Sequence, residues 1–236
     1  MAAAPHGTPP GEGLTYEEIV DNLIDLFRRT WGLPASGPVP WGAFLRLSDR
    51  IHARYEIPST TVTPMMRRLL FGLGFAAGPR YPVGVGTYVG YAWSWLLRDR
   101  ADPETGPFLD RAIGIDVDSR ANQLAARNCA ALGHGKRIVF LDADGVTALE
   151  GLNRPVDLLY LDLDDERTGK SGYQDVLMTA IPHLQPGALV LAHDPCVPRF
   201  AQDFASYHRF VRNSGLFAGV WVLPVDPCGL SIALVR

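Results

Sequence analysis

The chain has 236 residues, 47% hydrophobic and 20% charged, the composition of an ordinary globular domain. A formal net charge of −3 gives no electrostatic footprint for nucleic acid or for an anionic membrane, so neither is expected as a partner. Three cysteines without CxxC spacing exclude a zinc knuckle or a disulfide framework, and there is no long apolar run and no basic-then-apolar start. Reduced thiols in a cytoplasmic protein are the expectation.

In chain order, residues 1–13 are small, Pro- and Gly-rich and unpatterned, and are expected to be disordered. From Leu14 to Trp31 the apolar Ile19, Leu23, Leu26 and Phe27 recur at helical steps, with Thr15 as N-cap and Glu17 and Glu18 in the first turn. A second helical stretch runs from about Trp41 to Tyr55. A third follows Ser59-Thr60-Thr61 and carries Met65, Met66, Leu69, Leu70 and Leu73. Residues 14–75 are read as a helical lid or substrate region in front of a main domain over 76–236.

There the rhythm changes. PVGVG, RAIGIDVD, RIVFLDAD, VDLLYLDLD and ALVLAHD are apolar strands, each followed by a helical segment. The last of these helices leads to two further strands, FAGVWVLPV and GLSIALVR. The helix GYQDVLMTAIPHL is expected to stop at Pro186-Gly187. Near-continuous apolar strands alternating with helices imply a parallel sheet covered on both faces. The fold class expected is α/β: a Rossmann-like, doubly wound, mostly parallel seven-stranded sheet with an antiparallel C-terminal hairpin at its edge. The strands end in Gly86, Asp116, Asp142, Asp162 and Asp194, and open α/β sheets bind ligands outside their carboxyl ends.

The first turn reads Gly84-Val85-Gly86-Thr87-Tyr88-Val89-Gly90, where glycines permit close backbone approach to a ligand. Asp116 is suited to accept both hydroxyls of a ribose, with Asp118 as cap of the next helix. For Asp142-Ala143-Asp144 the readings as adenine ligand and as helix cap carry equal weight. A pyrophosphate site spaces its glycines GxGxxG; the spacing here is GxGxxxG with a bulky Tyr88 inside. That favours the sulfonium nucleoside S-adenosylmethionine over NAD.

On these motifs the chain resembles the class I S-adenosylmethionine-dependent O-methyltransferases of the catechol and caffeoyl-CoA type, a metal-dependent family. GVGTYVGYA at 84–92 is similar to its first motif, IGIDVD to its ribose-binding strand end, and LDA at 141–143 to its third. DLLYLDLD at 157–164, Tyr173 with HLQPGA, LPVDPCGLSIALVR and STTVTPMMRRLL match later motifs and the lid helix. The resemblance spans roughly residues 58–236. It implies S-adenosylmethionine as cofactor, held by Gly84, Gly86, Thr87, Tyr88, Gly90, Asp116, Asp142, Ala143 and Asp162, a small-molecule acceptor of natural-product type, and a homodimer.

The chain departs from that pattern at informative places. The acid that leads the family's first motif is Gly84 here. The family holds a divalent cation with one Asp after strand four and an Asp-Asn pair after strand five; here Asp162 fits the first, but the pair is His193-Asp194. Two readings follow. Asp162, His193 and Asp194 form a mixed site for a divalent metal (Mg²⁺ or Mn²⁺), the imidazole shifting preference from Mg²⁺ toward Mn²⁺, Fe²⁺ or Zn²⁺ and the metal acidifying an acceptor hydroxyl. Alternatively the metal is absent and His193 is the base of a nitrogen or carbon methyltransferase. Where the family has a lysine, this chain has Asp165, inside the acidic run Asp162-Leu163-Asp164-Asp165-Glu166. Asp165 therefore joins His193 and Asp162 as a catalytic candidate, against the plain reading of a solvated loop. A protein that binds S-adenosylmethionine without transferring its methyl group is a third reading. Trp31, Trp41, Phe44, Tyr55, Met65 and Met66 are candidates for an acceptor lid or for simple core packing.

Overall fold

The computed structural model describes residues 13–34, 37–58, 61–98, 102–105, 109–165 and 167–236; the expectation for residues 1–13 therefore lies outside them but for Gly13, and Ser59, Thr60 and Glu166 fall outside as well. Helix α1 (Tyr16–Trp31) begins with a capping box: the Thr15 hydroxyl accepts from the Glu18 N–H, and the Glu18 carboxylate accepts from the Thr15 N–H. Helix α2 spans Trp41–Arg54. Helix α3 (Pro64–Ala77) has Thr63 as N-cap, Pro64 at its first position and left-handed Gly78 at its end.

The seven strands are β1 (Pro82–Val85), β2 (Ala112–Asp116), β3 (Ile138–Asp142), β4 (Val156–Leu161), β5 (Leu184–His193), β6 (Phe217–Leu223) and β7 (Leu230–Val235). Between them run α4 (Tyr91–Leu97), α5 (Ser119–Ala130), α6 (Gly145–Glu150), α7 (Tyr173–Ala180) and α8 (Ala201–Asn213). They form one sheet in the order β3-β2-β1-β4-β5-β7-β6, with β1 to β5 parallel and β7 antiparallel to both neighbours. This is the expected doubly wound α/β sheet. The hairpin lies at the sheet edge as expected, with β7 against β5 and β6 outermost.

Alternate strand residues feed two separate apolar cores, one per face. Helices α1 to α4 pack on one face around Phe27, Phe44, Met66, Phe71, Trp93 and Trp95. Helices α6 to α8 pack on the other around Leu149, Tyr173, Leu177, Phe204 and Tyr207. The crossing of α3 and α4 is tight enough that a Cβ at Gly74 would overlap the Leu96 carbonyl. No helix among the described residues is long and apolar enough to cross a membrane.

Helix α7 ends four residues earlier than the sequence pattern predicts. It stops at Ala180, a short 3₁₀ turn covers Ile181–His183, and Pro186 and Gly187 lie within β5. Pro182, which has no N–H to donate, sits in that turn. The exposed start of β5 tolerates Pro186 because the pairing with β4 shifts register between Val156 and Leu158.

His208 on α8 is buried beside Phe204 and Tyr207, its Nε2 lying 2.9 Å from the Ser231 Oγ of β7. Burial, with a contribution from Arg212, lowers its pKa from 6.5 to about 4. The unfolded chain therefore binds a proton that the folded chain refuses between those values, so stability falls as pH drops from 6.5 toward 4. We expect His208→Gln to remove about 2 kcal/mol of the stability difference between pH 7 and pH 4.5, read from urea unfolding at both pH values. Equal pH dependence in the two proteins would contradict this.

Candidate active site

Strand register decides which side chains meet. Val85 pairs with Ile115 on one side and Leu161 on the other, and Leu161 pairs with Ala192. Gly86, Asp116, Asp162 and His193 are thus the next residues out along four adjacent strands. His193 pairs with Leu230, which brings the β6–β7 turn, with Asp226 and Cys228, to the same rim.

The turn after β1 is held in an unusual backbone state. Gly86 (φ +78°), Tyr88 (φ +45°) and Gly90 (φ +77°) are all left-handed. A Cβ on Gly86 would overlap the backbone of Asp162 and Leu163. Asp116 fixes the turn: its Oδ2 accepts from the Tyr88 N–H at 2.8 Å and its Oδ1 from the Asp118 N–H at 3.0 Å. Asp118 caps α5 as expected, accepting from the N–H groups of Arg120 and Ala121. Beyond this turn lies a cavity of about 480 Å³ walled by Gly86, Tyr88, Asp116, Val117, Ala143 and Asp144. A second cavity of about 390 Å³ shares Gly86, Tyr88 and Asp162 with it and continues to Tyr160, Lys170 and His193. Its outer wall includes Pro58, Thr61, Val62 and Thr63 from the segment before α3, and the Thr63 hydroxyl donates to Asp226 at 2.6 Å.

In the second cavity four charged groups converge. His193 Nδ1 lies 3.2 Å from Asp162 Oδ1 and 3.2 Å from Asp194 Oδ1. Its Nε2 is buried without a hydrogen-bond partner among the described residues. Lys170 Nζ lies 3.3 Å from Asp162 Oδ1 and 3.0 Å from Asp194 Oδ2. The Tyr160 hydroxyl donates to Asp162 Oδ2 at 2.9 Å. Asp194 adopts φ +73°, a conformation aspartate tolerates better than most residues. Burial alone would raise the Asp162 pKa, but His193, Lys170 and the Tyr160 hydroxyl hold it below the usual carboxylate range. Burial opposes the charged form of His193 too, yet Asp162 and Asp194 lift its pKa to about 8.

The three expected metal ligands, Asp162, His193 and Asp194, do come together. The position between the two carboxylates, however, is filled by Lys170, so the set as arranged does not fit a divalent ion. His193, Asp194 and Cys228 form a second group with ligand atoms within 4.8 Å of one another. There burial and hydrogen bonding to Asp194 push the Cys228 thiol up to about 12.

Other predicted residues have different surroundings. Thr87 lines the second cavity, and Ala143 the first. Gly84 faces the helix layer, where a Cβ would come within 2.7 Å of Thr87 Cγ2 and 3.1 Å of Trp93 Cε3. Gly90 packs against Ala125 and Cys129 of α5. Asp142 accepts from the Asn122 amide at 2.7 Å and lines neither cavity, while Asp144 both caps α6 and lines the first. Asp165 lies at the edge of the first cavity, its carboxylate closing a turn on the N–H groups of Arg167 and Thr168. Of the lid candidates, Phe44, Tyr55, Met65 and Met66 are core residues, and Trp31 and Trp41 pack against that core. Sequence reasoning missed Tyr160, although it stands two residues before Asp162 and so shares its strand face.

Residues 83–195 match the sequence model of a family described as methyltransferase domain. No curated protein matches the chain in sequence. Among solved structures, an O-methyltransferase from Bacillus cereus in complex with SAH is 15% identical, with TM-score 0.62 over 93% of this chain and 99% of its own. TomG, an O-methyltransferase from Streptomyces achromogenes involved in tomaymycin synthesis, in complex with SAM, is 19% identical, with TM-score 0.60 over 94% and 100%. A methyltransferase from Geobacter sulfurreducens is 24% identical, with TM-score 0.56 over 92% and 100%. The likeness is one of fold, and the fold is that of the Rossmann-like methyltransferases.

Gly86 resists exchange because both its φ and its contact with Asp162 and Leu163 exclude a side chain. Gly86→Ala is expected to lower the unfolding free energy by about 2–4 kcal/mol in chemical denaturation. A change below about 0.5 kcal/mol would refute the close approach.

Proposed function

We propose that the chain is an S-adenosylmethionine-dependent O-methyltransferase that modifies a hydroxyl group of a small molecule. The observation that carries this reading is the meeting of two cavities at Gly86, Tyr88 and Asp162. A nucleoside in the first would have its ribose at Asp116 and its adenine beside Ala143 and Asp144. Its sulfonium would then lie at the passage into the second cavity, where His193 and Lys170 stand. The second cavity's size suits an acceptor of roughly one ring system, within the range of small-molecule sites.

Methyl transfer is an in-line displacement. The acceptor oxygen forms a bond to the methyl carbon, the carbon–sulfur bond breaks, and its electron pair remains on sulfur, giving S-adenosylhomocysteine. The hydroxyl proton needs an acceptor, and His193 Nε2 is the nitrogen left free when Nδ1–H is directed at the carboxylates. Asp162 and Asp194 orient the ring and stabilise the imidazolium as it forms. The raised His193 pKa suits a phenolic or similarly acidic hydroxyl.

Calorimetry with S-adenosylmethionine, followed by assay of S-adenosylhomocysteine release with a panel of phenols, tests the proposal. Asp116→Ala should weaken cofactor binding by about 100-fold, the loss of two hydrogen bonds to a charged group. Full affinity in that variant, or no affinity in the wild-type protein, would remove the nucleoside assignment. His193→Gln should leave cofactor affinity within about twofold and lower kcat by about 100-fold or more. For the wild-type protein, kcat/KM should rise with pH and level off above about 8, because only neutral His193 accepts a proton. That inflection should vanish in His193→Gln; its persistence would assign the proton transfer to another group.

A further inference from the structure

We propose that Lys170 is the resident cation of the acceptor site: its ammonium supplies the positive charge that Asp162 and Asp194 require together, and so excludes a divalent metal from between them. Metal exclusion stands on the geometry alone. The part Lys170 plays in methyl transfer rests on the reading of the chain as an S-adenosylmethionine-dependent enzyme.

A lysine is almost never fully buried unless it is paired, yet the Lys170 side chain is 2% exposed. The surroundings are built around its ammonium. Two carboxylates lie at 3.3 and 3.0 Å, and the ring faces of Tyr173 and Phe200 stand 5.3 and 5.4 Å away, within cation–π range. The loop that carries it is shaped for this delivery. Asp165 and Gly169 exchange backbone hydrogen bonds at 3.1 and 2.7 Å, turning the chain back toward the sheet. The Lys170 N–H then donates to Asp203 Oδ2 on α8 at 3.0 Å. Gly169 is left-handed, and a Cβ there would press on Asp203 and Phe200.

Residue type supports the same conclusion. The chain has 22 basic residues, of which only Lys136 and Lys170 are lysines. A planar guanidinium prefers to meet a carboxylate side-on through a rigid fork, whereas an ammonium is a compact charge with rotatable donors. Between two carboxylates from different strands and two ring faces, the compact group is the one that fits.

Charge accounting shows what the cation does. With His193 neutral, Asp162, Asp194 and Lys170 sum to one negative charge; without Lys170 they would sum to two, against the wall where an acceptor oxygen must develop negative charge. Lys170 therefore lowers the repulsion that an oxyanion would meet and keeps both carboxylates available to orient His193. It is a positioning residue that acts through Asp162 and Asp194.

The test uses the full chain after dialysis against chelator, titrated with Mn²⁺ alone while free Mn²⁺ is followed by electron paramagnetic resonance. Wild-type protein is expected to take up no Mn²⁺ at these carboxylates, and chelation should leave its methyl transfer unchanged. Lys170→Gln is expected to take up one Mn²⁺ per chain, to keep S-adenosylmethionine affinity within about twofold, and to lose about 100-fold in kcat, as when one stabilising charge is removed. Stoichiometric Mn²⁺ uptake by the wild-type protein, abolished by Asp194→Asn, would overturn the proposal, as would an unchanged kcat in Lys170→Gln. Should Lys170→Gln fail to fold, the wild-type titration decides the matter. If the wild-type protein bound no S-adenosylmethionine, the methyltransferase reading would fail while the Mn²⁺ titration still reported on the cation.

Discussion

Two carboxylates on adjacent strand ends pose the electrostatic constraint on which this structure turns. Parallel register puts Asp162 beside His193, with Asp194 one residue further out, at the rim of a sheet whose two faces are packed with hydrocarbon, so neither carboxylate is fully hydrated. Isolated charges in such surroundings neutralise or find partners. Here the partners are Lys170, His193 and the Tyr160 hydroxyl, each supplied by a different part of the chain. The left-handed backbone at Asp194, the bridged loop before Lys170 and the burial of Tyr160 under Trp93 are the conformational consequences of meeting that demand. A network so constrained has little freedom to rearrange, which is the state expected of a preorganised reaction site.

What could be read in advance was what depends on local chemistry. Thr15 and Glu18 announce a helix start through their own side chains, and Asp118 announces another. Apolar runs closed by Gly86, Asp116, Asp162 and His193-Asp194 reveal a sheet edge, because in a parallel sheet the ends of successive strands come into line. Less legible was whatever a distant element decides. Asp142 looked as eligible as Asp144, but the amide of Asn122 on α5 claims it. Gly84 and Gly90, read as ligand contacts, also leave room for Thr87, Trp93, Ala125 and Cys129. The aromatic residues of the first helices looked equally suited to a lid and to a core; the packing of α1 to α4 on one sheet face makes them core. Lys170 lay eight residues beyond Asp162 in a loop whose return depends on Gly169 and on Asp203 of α8. No local pattern encodes that return.

The second cavity has a composite origin. One wall is strand ends, another is the turn between β6 and β7, and a third is the segment leading into α3, with Thr63 joined to Asp226 across the opening. On the proposed reading, selectivity for an acceptor would change through Pro58, Thr61, Val62 or Thr63, or through the β6–β7 turn, without touching the charged network. This separation of a variable pocket from a fixed reacting centre is a common route by which one fold serves many substrates.

The position of β7 has a consequence for how the molecule comes into being. This strand follows β6 in the chain yet lies between β6 and β5, and its pairing with β5 runs up to His193. During synthesis β5 therefore emerges with one flank unpaired, a row of backbone donors and acceptors that nothing earlier in the chain can cover. Until β7 leaves the ribosome, that flank is open to mispairing with other strands, and the imidazole stands on an unsupported end. Completion of the charged cluster is thereby coupled to a strand made after β6, so that products ending before β7 carry the glycine turn and the aspartates without it.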